Sequence, residues 1–261
     1  MKKLILIFIL STLVFSFENA KIETLMGKDK FQTYNQLLAK IFPKKDYSIY
    51  EILNKLKNNG LLDLFFDNPR LITTEFIFEN GDNIVNTKIL NDTLKSLGYY
   101  YFYPKNIIKN NNQFILDIEF KSEHYIDPVS FFDEIASRGC SVLDVSKNNE
   151  EYIYKLSCEN GIIKEAKDLT DNNEMYVNSN GVYWLKNNNF SKLVVKTKKV
   201  DYWHPSVWFY DEHLNLLNNI KINKKTTDIT LNIPASCKYI KIMDIYSGEN
   251  FKRGIIVKGL K

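Results

Sequence analysis

The sequence contains little arginine, and it has no long apolar run apart from its N-terminus. Only Arg70, Arg138 and Arg253 are arginines, and the 261 residues carry a formal net charge of +4. Affinity for nucleic acid comes largely from neutralising phosphates, so an arginine-poor and nearly neutral chain is a weak candidate for a nucleic-acid partner. No segment reaches the ~20 consecutive apolar residues of a membrane-spanning helix, which excludes a polytopic membrane protein.

Motifs that mark common active sites are also missing. The chain has no Gly-x-Ser-x-Gly elbow, no Ser-x-x-Lys motif and no His-Glu-x-x-His helix. Gly60, Gly98 and Gly139 are isolated, so no glycine-rich phosphate loop is formed. We therefore expect no catalytic residues, no cofactor and no metal. A hydrolase is still an alternative, because the carboxylates of glycosidases have no local signature.

The N-terminus has the pattern of a secretory signal peptide. Lys2 and Lys3 precede an apolar run over 4–15, which is too short to span a bilayer. Cleavage is expected after Ser16, with Ala20 as the second choice. Residues 1–16 are thus predicted to be removed on export to the periplasm or the medium, leaving no transmembrane segment. Loss of the two lysines lowers the net charge from +4 to +2.

Export changes what the three cysteines are expected to do, because paired thiols become disulfides in an oxidising compartment. A hairpin centred on Asn149 places Cys140 directly opposite Cys158, at a Cα separation near the short end of disulfide geometry. We predict a disulfide between them. Two free buried thiols are the alternative, because a register shift of one residue would separate them. Cys237 is left over, either as a small buried side chain or as an exposed thiol.

The sequence contains an internal repeat. In each copy an amphipathic helical segment ends at a glycine, the favoured residue for a left-handed helix cap, and a strand-turn-strand pattern follows. The helical segments are 51–59, 89–97 and 131–138. Residues 17–167 are therefore predicted to form one α+β domain of three α-β-β units.

The repeat also predicts an architecture. In the first unit the predicted hairpin turns at Asp67–Arg70; from Leu71 the order is β-α-β-β-α-β, as in a ferredoxin-like fold. We expect an antiparallel sheet with helices on one face. The other face should carry aromatics: Phe76 or Phe78, Tyr100 and Phe102. At fold level this pattern resembles the cell-wall-binding sporulation-related repeat and small repeated domains of envelope machines, a resemblance that implies a binding or scaffolding role.

The C-terminal part has a different pattern. After the polar stretch 168–173, short strands recur with turn residues about every ten positions, and 229–233 alternates strictly between apolar and polar residues. This pattern is typical of an antiparallel β-sandwich. We predict a second, all-β domain over residues 168–261.

Aromatic residues in this second domain are the only candidates for a ligand site. Flat ring faces suit sugars, and a sandwich core is the alternative for the same side chains. The candidate ligand-binding aromatics are Trp203, Trp208, Tyr202, Tyr210 and Trp184. His204 and His213 flank a strand, so they should point apart, which argues against a metal site.

The leading hypothesis from sequence is a non-enzymatic binding or scaffolding protein of the cell envelope. Its expected partner is an envelope protein or a cell-wall glycan. The alternatives are a carbohydrate-binding accessory protein that uses the C-terminal aromatics and an unrecognised hydrolase.

Overall fold

The computed structural model describes residues 19–44, 46–110, 113–170 and 174–261. The predicted signal peptide and the cleavage position after Ser16 lie outside these ranges, whereas Ala20 lies inside a helix. The chain divides into two compact units, the first ending at Ile162 and the second covering Ile163–Lys261. The division lies a few residues before the boundary expected at 167/168.

The first unit has mixed helix and strand content. Its helices are residues 19–26 (α1), Lys28–Thr33 (α2), Asn35–Ile41 (α3), Ile49–Asn58 (α4), Asn83–Ser96 (α5) and Pro128–Ala136 (α6). Its strands are Phe65–Phe78 (β1), Tyr103–Lys109 (β2), Phe114–His124 (β3), Ser141–Asn148 (β4) and Glu151–Ser157 (β5).

Helices α4, α5 and α6 begin and end where local chemistry favours it. Ser48 and Glu51 form a reciprocal capping box at the start of α4, and the Asp127 carboxylate accepts the backbone N–H of Val129 at the start of α6. The three glycines that follow α4, α5 and α6 all have positive φ, between 66° and 93°. Only glycine takes this conformation at little cost, so the sequence marks the three helix ends clearly.

The first predicted hairpin does not form. Residues 65–78 are one strand, β1, and its register with β3 jumps from Phe65↔His124 to Arg70↔Ser122. The predicted turn residues are therefore a bulge in a continuous strand, which suits Pro69 because proline has no N–H to donate to a neighbour. Arg70 stabilises the bulge: its guanidinium lies 3.5 Å from the ring centroid of Phe66 and donates to the Tyr125 hydroxyl.

The first sheet, sheet 1, has the strand order β2-β3-β1-β5-β4. Three of its strand pairs are antiparallel, but β1 and β5 are parallel. The expected wholly antiparallel sheet is therefore wrong at this pair. The connection through α6 leads to β4 at the edge, and the tight hairpin then returns β5 to the place beside β1.

The helices cover one face of sheet 1, the helix side. Phe76 lies 5.4 Å, centroid to centroid, from Phe131 of α6, and its cross-strand neighbours Leu116 and Tyr154 are also buried. Phe76 and Phe78 thus belong to the core, and the prediction that one of them lies on the opposite face is wrong. The two residues are two positions apart in β1, so their side chains point to the same face of the sheet and are buried together.

The second unit is built from strands. They are Lys167–Asp168 (β6), Met175–Val177 (β7), Val182–Lys186 (β8), Lys192–Lys196 (β9), Pro205–Tyr210 (β10), Leu216–Lys221 (β11), Asp228–Asn232 (β12), Tyr239–Asp244 (β13) and Ile255–Leu260 (β14). A short 3-10 helix covers Gly248–Phe251.

These strands form two sheets that share one core. Sheet 2 has the order β11-β10-β13-β8-β6, and sheet 3 has the order β12-β9-β14-β7. Inward side chains of sheet 2, such as Val207, Phe209 and Ile242, share a buried cluster with Val195 and Val257 of sheet 3. Burial of such side chains contributes roughly 25 cal/mol per Å² of apolar surface. The arrangement is compatible with the predicted sandwich.

Candidate binding surfaces

Cys140 and Cys158 form the predicted disulfide, with a Cα–Cα distance of 4.3 Å. The register explains why they meet. Near the turn, Asn148 pairs with Glu151. If this register continued unchanged, Cys140 would lie opposite Glu159 and not opposite Cys158. A bulge at Leu143 shifts the pairing by one residue, so that Ser141 pairs with Ser157 and the cysteines face each other. The sequence predicted the same pairing from a regular hairpin centred on Asn149, whereas the structure reaches it through this bulge.

The third cysteine is buried. Cys237 has a free thiol, which donates to the backbone carbonyl of Tyr239 at 3.4 Å. Burial raises the pKa of this thiol to about 11, so it stays protonated at neutral pH and is a poor nucleophile.

The structure separates the five candidate aromatics of the second unit. Trp203 is fully buried: its indole stacks on Phe251 at 5.4 Å, and its Nε1 donates to the Met243 carbonyl. Trp203 is therefore excluded as a ligand platform. Tyr202 is exposed, with the Lys225 ammonium 3.8 Å from its ring centroid.

The other three candidates lie together on the outer face of sheet 2. Because Val207 and Phe209 point into the core, Trp208 and Tyr210 point outward, and Trp184 of β8 joins them. The Trp184–Tyr210 and Trp208–Tyr210 centroids are 5.7 and 6.4 Å apart, with nearly parallel planes. We call these three residues the aromatic ridge.

The geometry of the ridge limits what it could bind. Its rings turn much of their faces towards each other, and all three are only partly exposed. Lys221 and Lys241 place ammonium groups 5.9 and 5.7 Å from the Trp208 and Trp184 ring centroids. A ligand here would meet ring edges and positive charge rather than an open, flat platform.

A more exposed aromatic surface lies in the first unit, where β1 and β2 begin and β3 ends. Tyr101 is 92% exposed and Phe65 is 80% exposed, and Tyr100 and Tyr103 are also exposed. The hydroxyl of Tyr103 donates to the Glu119 carboxylate of β3, which holds its ring across the sheet. We call Phe65, Tyr100, Tyr101 and Tyr103 the aromatic end. The Phe65 ring lies 6.0 Å from the His124 ring, centroid to centroid, at this end of the sheet. Exposed apolar groups of this kind often mark an interaction site.

A cleft accompanies the aromatic end. It measures about 290 Å³ and is lined on one side by Tyr99, Tyr100 and Tyr101 and on the other by Phe120 and His124. The Tyr99 ring packs on Phe120 at 5.0 Å, and burial raises the pKa of its phenol, which stays protonated. The cleft could receive an apolar side chain of a partner.

The hydrogen bonds at the base of this cleft fix the histidine tautomer. The Tyr99 hydroxyl donates to the Tyr125 carbonyl at 2.9 Å, and it also lies 2.8 Å from His124 Nδ1. Nδ1 also lies 3.1 Å from the Tyr125 carbonyl oxygen, which can only accept a hydrogen bond, so we infer that Nδ1 carries a hydrogen. In the neutral ring Nε2 is therefore the nitrogen that could accept a hydrogen bond.

The two edges of sheet 1 differ. On β4, Lys21 of α1 donates to the Val145 backbone carbonyl at 3.3 Å and pairs with Asp144 at 2.7 Å, so a helix covers part of that edge. On β2, every residue is exposed. Among the described residues, the backbone of Tyr103–Lys109 makes no hydrogen bond outside its ladder with β3. Within the part of the chain that the structure describes, β2 is therefore an open edge of sheet 1.

The described ranges hold neither a metal-binding cluster nor a helix that could cross a membrane. No three His, Cys, Asp or Glu side chains there are grouped so that they could hold a metal ion. None of the helices in those ranges has the length and apolarity needed to cross a bilayer.

No protein family and no curated protein sequence matches the chain. Slight structural similarity exists to a structure of accessory secretory proteins 1, 2 and 3 from Streptococcus pneumoniae, at 10% identity over 28% of this chain and a TM-score of 0.21. Similarity to the secreted serine protease VesC from Vibrio cholerae is equally slight, at 11% identity over 74% of this chain and a TM-score of 0.22. This chain covers 54% and 44% of those two chains, about half of each. Similarities this slight carry no conclusion about function.

Sequence reasoning identified only part of the aromatic end. It placed Tyr100 on an open sheet face but did not single out Phe65, Tyr101 or His124. One usable signal was the run from Tyr99 to Tyr103, five consecutive aromatic residues. A strand of a sheet with only one covered face buries about every second residue, so such a run predicts that some rings are exposed.

Proposed function

We propose that the protein is an exported, non-enzymatic binding protein of the cell envelope that holds a protein partner on the aromatic end. The observation that carries the proposal is the concentration of exposed rings there, led by Tyr101 and Phe65. Tyrosine and phenylalanine are enriched in the energetically important centres of protein interfaces. The neighbouring cleft gives an anchoring side chain somewhere to go.

Three further observations support parts of this proposal. The signal-peptide pattern and the Cys140–Cys158 disulfide are compatible with a secreted protein and support a periplasmic or extracellular location. The groups that stand out at the aromatic end are rings and a protonated phenol, which suit binding rather than a reaction. The resemblance of the sequence pattern to the cell-wall-binding sporulation-related repeat and to repeated domains of envelope machines implied the same scaffolding role.

The test is a photo-crosslink from the proposed surface in living cells. A benzophenone amino acid at Tyr101 should give a discrete protein adduct, because a bound partner would lie within reach of the ring. The matched control places the same group at Tyr202, which is also exposed but lies in the second unit. Absence of an adduct at Tyr101, or the same adduct at both positions, would contradict the proposal.

Binding of a cell-wall glycan is the second candidate function. The specific observation in its favour is that Trp184, Trp208 and Tyr210 lie outside the core on one sheet face, with lysines beside them. Ammonium groups favour anionic glycans, and the exposed edges of the three rings offer apolar contacts to the sugar rings.

If glycan binding is the function, Trp208→Ala should weaken binding of the mature chain to purified cell wall at least several-fold. The reason is the loss of one ring from the ridge and of the Lys221 contact beside it. Co-sedimentation with purified wall measures this, with Tyr202→Ala as a control for loss of an exposed ring. Equal sedimentation of the parent and Trp208→Ala, or no sedimentation of either, would exclude the ridge as a glycan site.

A further inference from the structure

The open edge of β2 has backbone groups that could pair with another strand. Asn110 donates its backbone N–H to the Gln113 carbonyl at 3.1 Å, which makes these two residues a hydrogen-bonded pair. In an antiparallel ladder such pairs alternate with pairs whose N–H and C=O groups point away. In the register Ile107↔Leu116 and Lys109↔Phe114, the backbone N–H and C=O groups of Ile107 and Lys109 therefore point away from β3, towards the open edge.

The side chains of β2 continue two apolar rows to this edge. On the helix side, Ile107 extends the row formed by Phe76 and Leu116. On the other face, Ile108 extends a row formed by Ile77 and Ile115. Both rows stop at the edge, where Ile107 is 63% exposed and Ile108 is 50% exposed.

The charged side chains of β2 itself are all positive. β2 contains Lys105 and Lys109 and no acidic residue. Lys105 is the extra residue of a bulge and lies 3.5 Å from Glu119 and 3.1 Å from the Thr73 hydroxyl, so its charge is engaged over the sheet. Lys109 is exposed and is the last residue of β2. A strand beside β2 would therefore bind most tightly if it placed a carboxylate opposite Lys109.

The bulge and a proline limit how far a strand could pair. Pro104 has no N–H, and the register shift lies between Pro104 and Asn106. Regular pairing is therefore confined to Asn106–Lys109. Proline, bulges and lysine at an edge hinder unspecific sheet-to-sheet association, and Lys109 in particular would oppose a second copy of the same basic strand.

We propose that an extended segment of a partner protein adds to sheet 1 beside β2 and pairs with Asn106–Lys109. The segment carries apolar residues opposite Ile107 and Ile108 and an acidic residue opposite Lys109. This inference rests on the proposed function and names the chemistry of the partner. Backbone hydrogen bonds supply affinity, and the three side chains supply selectivity, as in other cases of strand addition.

The first test is an unbiased one. A library of random twelve-residue peptides displayed on phage is selected on residues 17–261, and then on the Lys109→Glu variant. On the parent, selected peptides should share an acidic residue next to two apolar residues. On Lys109→Glu, the acidic residue should be replaced by Lys or Arg. Selection of the same peptides on both proteins would overturn the proposal.

The second test removes one outward N–H. Ile107→Pro should weaken a selected peptide by about tenfold or more, because one hydrogen bond is lost and the proline ring blocks the edge. Proline is tolerated at a strand edge when its missing N–H faces solvent, so the variant should fold. The matched variant Ile107→Thr loses the same isoleucine but keeps the N–H. Fluorescence anisotropy should show a smaller loss for threonine, and equal binding of the proline variant and the parent would rule out strand addition.

The two proposals fail in different ways. A crosslinked partner at Tyr101 whose capture is unchanged by Ile107→Pro would leave the binding function standing and remove strand addition. Peptides whose binding depends on Ile107 and Lys109, without any adduct at Tyr101, would support strand addition and remove the partner site at the aromatic end. A dimer of the parent in sedimentation that is lost in Ile107→Pro would assign the edge to a second copy and overturn the partner proposal.

Discussion

Replacing Trp203 with alanine is expected to destabilise the second unit by about 3–5 kcal/mol, as for other large-to-small changes in cores. The Trp203 ring is 0% exposed, stacks on Phe251 and shares the core with strands of both sheets. Its truncation leaves a cavity and also leaves the Met243 carbonyl without the Nε1 donor. Amide hydrogen exchange in β10 and β13 measures the change within this unit.

Trp208 provides the matched control for that experiment. It is the same residue type, but it lies partly exposed on the outer face, and its Nε1 donates to the Ser206 hydroxyl. We expect Trp208→Ala to cost about 1 kcal/mol, in the range of partly exposed sites. A comparable loss for both variants would contradict the assignment of Trp203 to the core and Trp208 to the surface.

Removal of the Cys140–Cys158 disulfide is expected to destabilise the first unit by about 3 kcal/mol. The two residues are 18 positions apart, and the cross-link limits the unfolded chain more than the folded one. Urea unfolding of the double variant Cys140→Ser/Cys158→Ser should show this loss. Dithiothreitol should lower the stability of the parent by a similar amount and leave the double variant unchanged.

Cys237→Ala separates loss of the disulfide from loss of a buried sulfur. Cys237 is buried and unpaired, so its replacement removes one hydrogen bond and a small side chain. The expected cost is about 1 kcal/mol, and the response to dithiothreitol should be that of the parent. A double variant as stable as the parent would contradict a stabilising disulfide.

The sequence predicted the parts of the fold that depend on local chemistry. Helix ends at Gly60, Gly98 and Gly139 follow from the left-handed conformation that glycine alone adopts easily. The Cys140–Cys158 pairing was also correct, although the structure reaches it through a bulge at Leu143. Local patterns predict such features because neighbours in the chain decide them.

Features decided by distant residues could not be predicted in this way. In β10 both alternating sets are apolar, Val207 with Phe209 and Trp208 with Tyr210, so periodicity cannot choose which set faces the core. The burial of Trp203 depends on Phe251, far along the chain. The exposure of β2 depends on its place at the edge of sheet 1, which only the strand order reveals.

The parallel pairing of β1 with β5 has a consequence for the order of assembly. β1 ends at Phe78, whereas its partner on that side begins at Glu151. When the chain emerges N-terminus first, at the ribosome or on the far side of a membrane, β1 therefore stays unpaired on one side until β5 has emerged. Pairing over such long sequence separations is slow, and an unpaired strand edge is prone to aggregation. The half-built sheet is thus the stage at which a chaperone would protect this chain most.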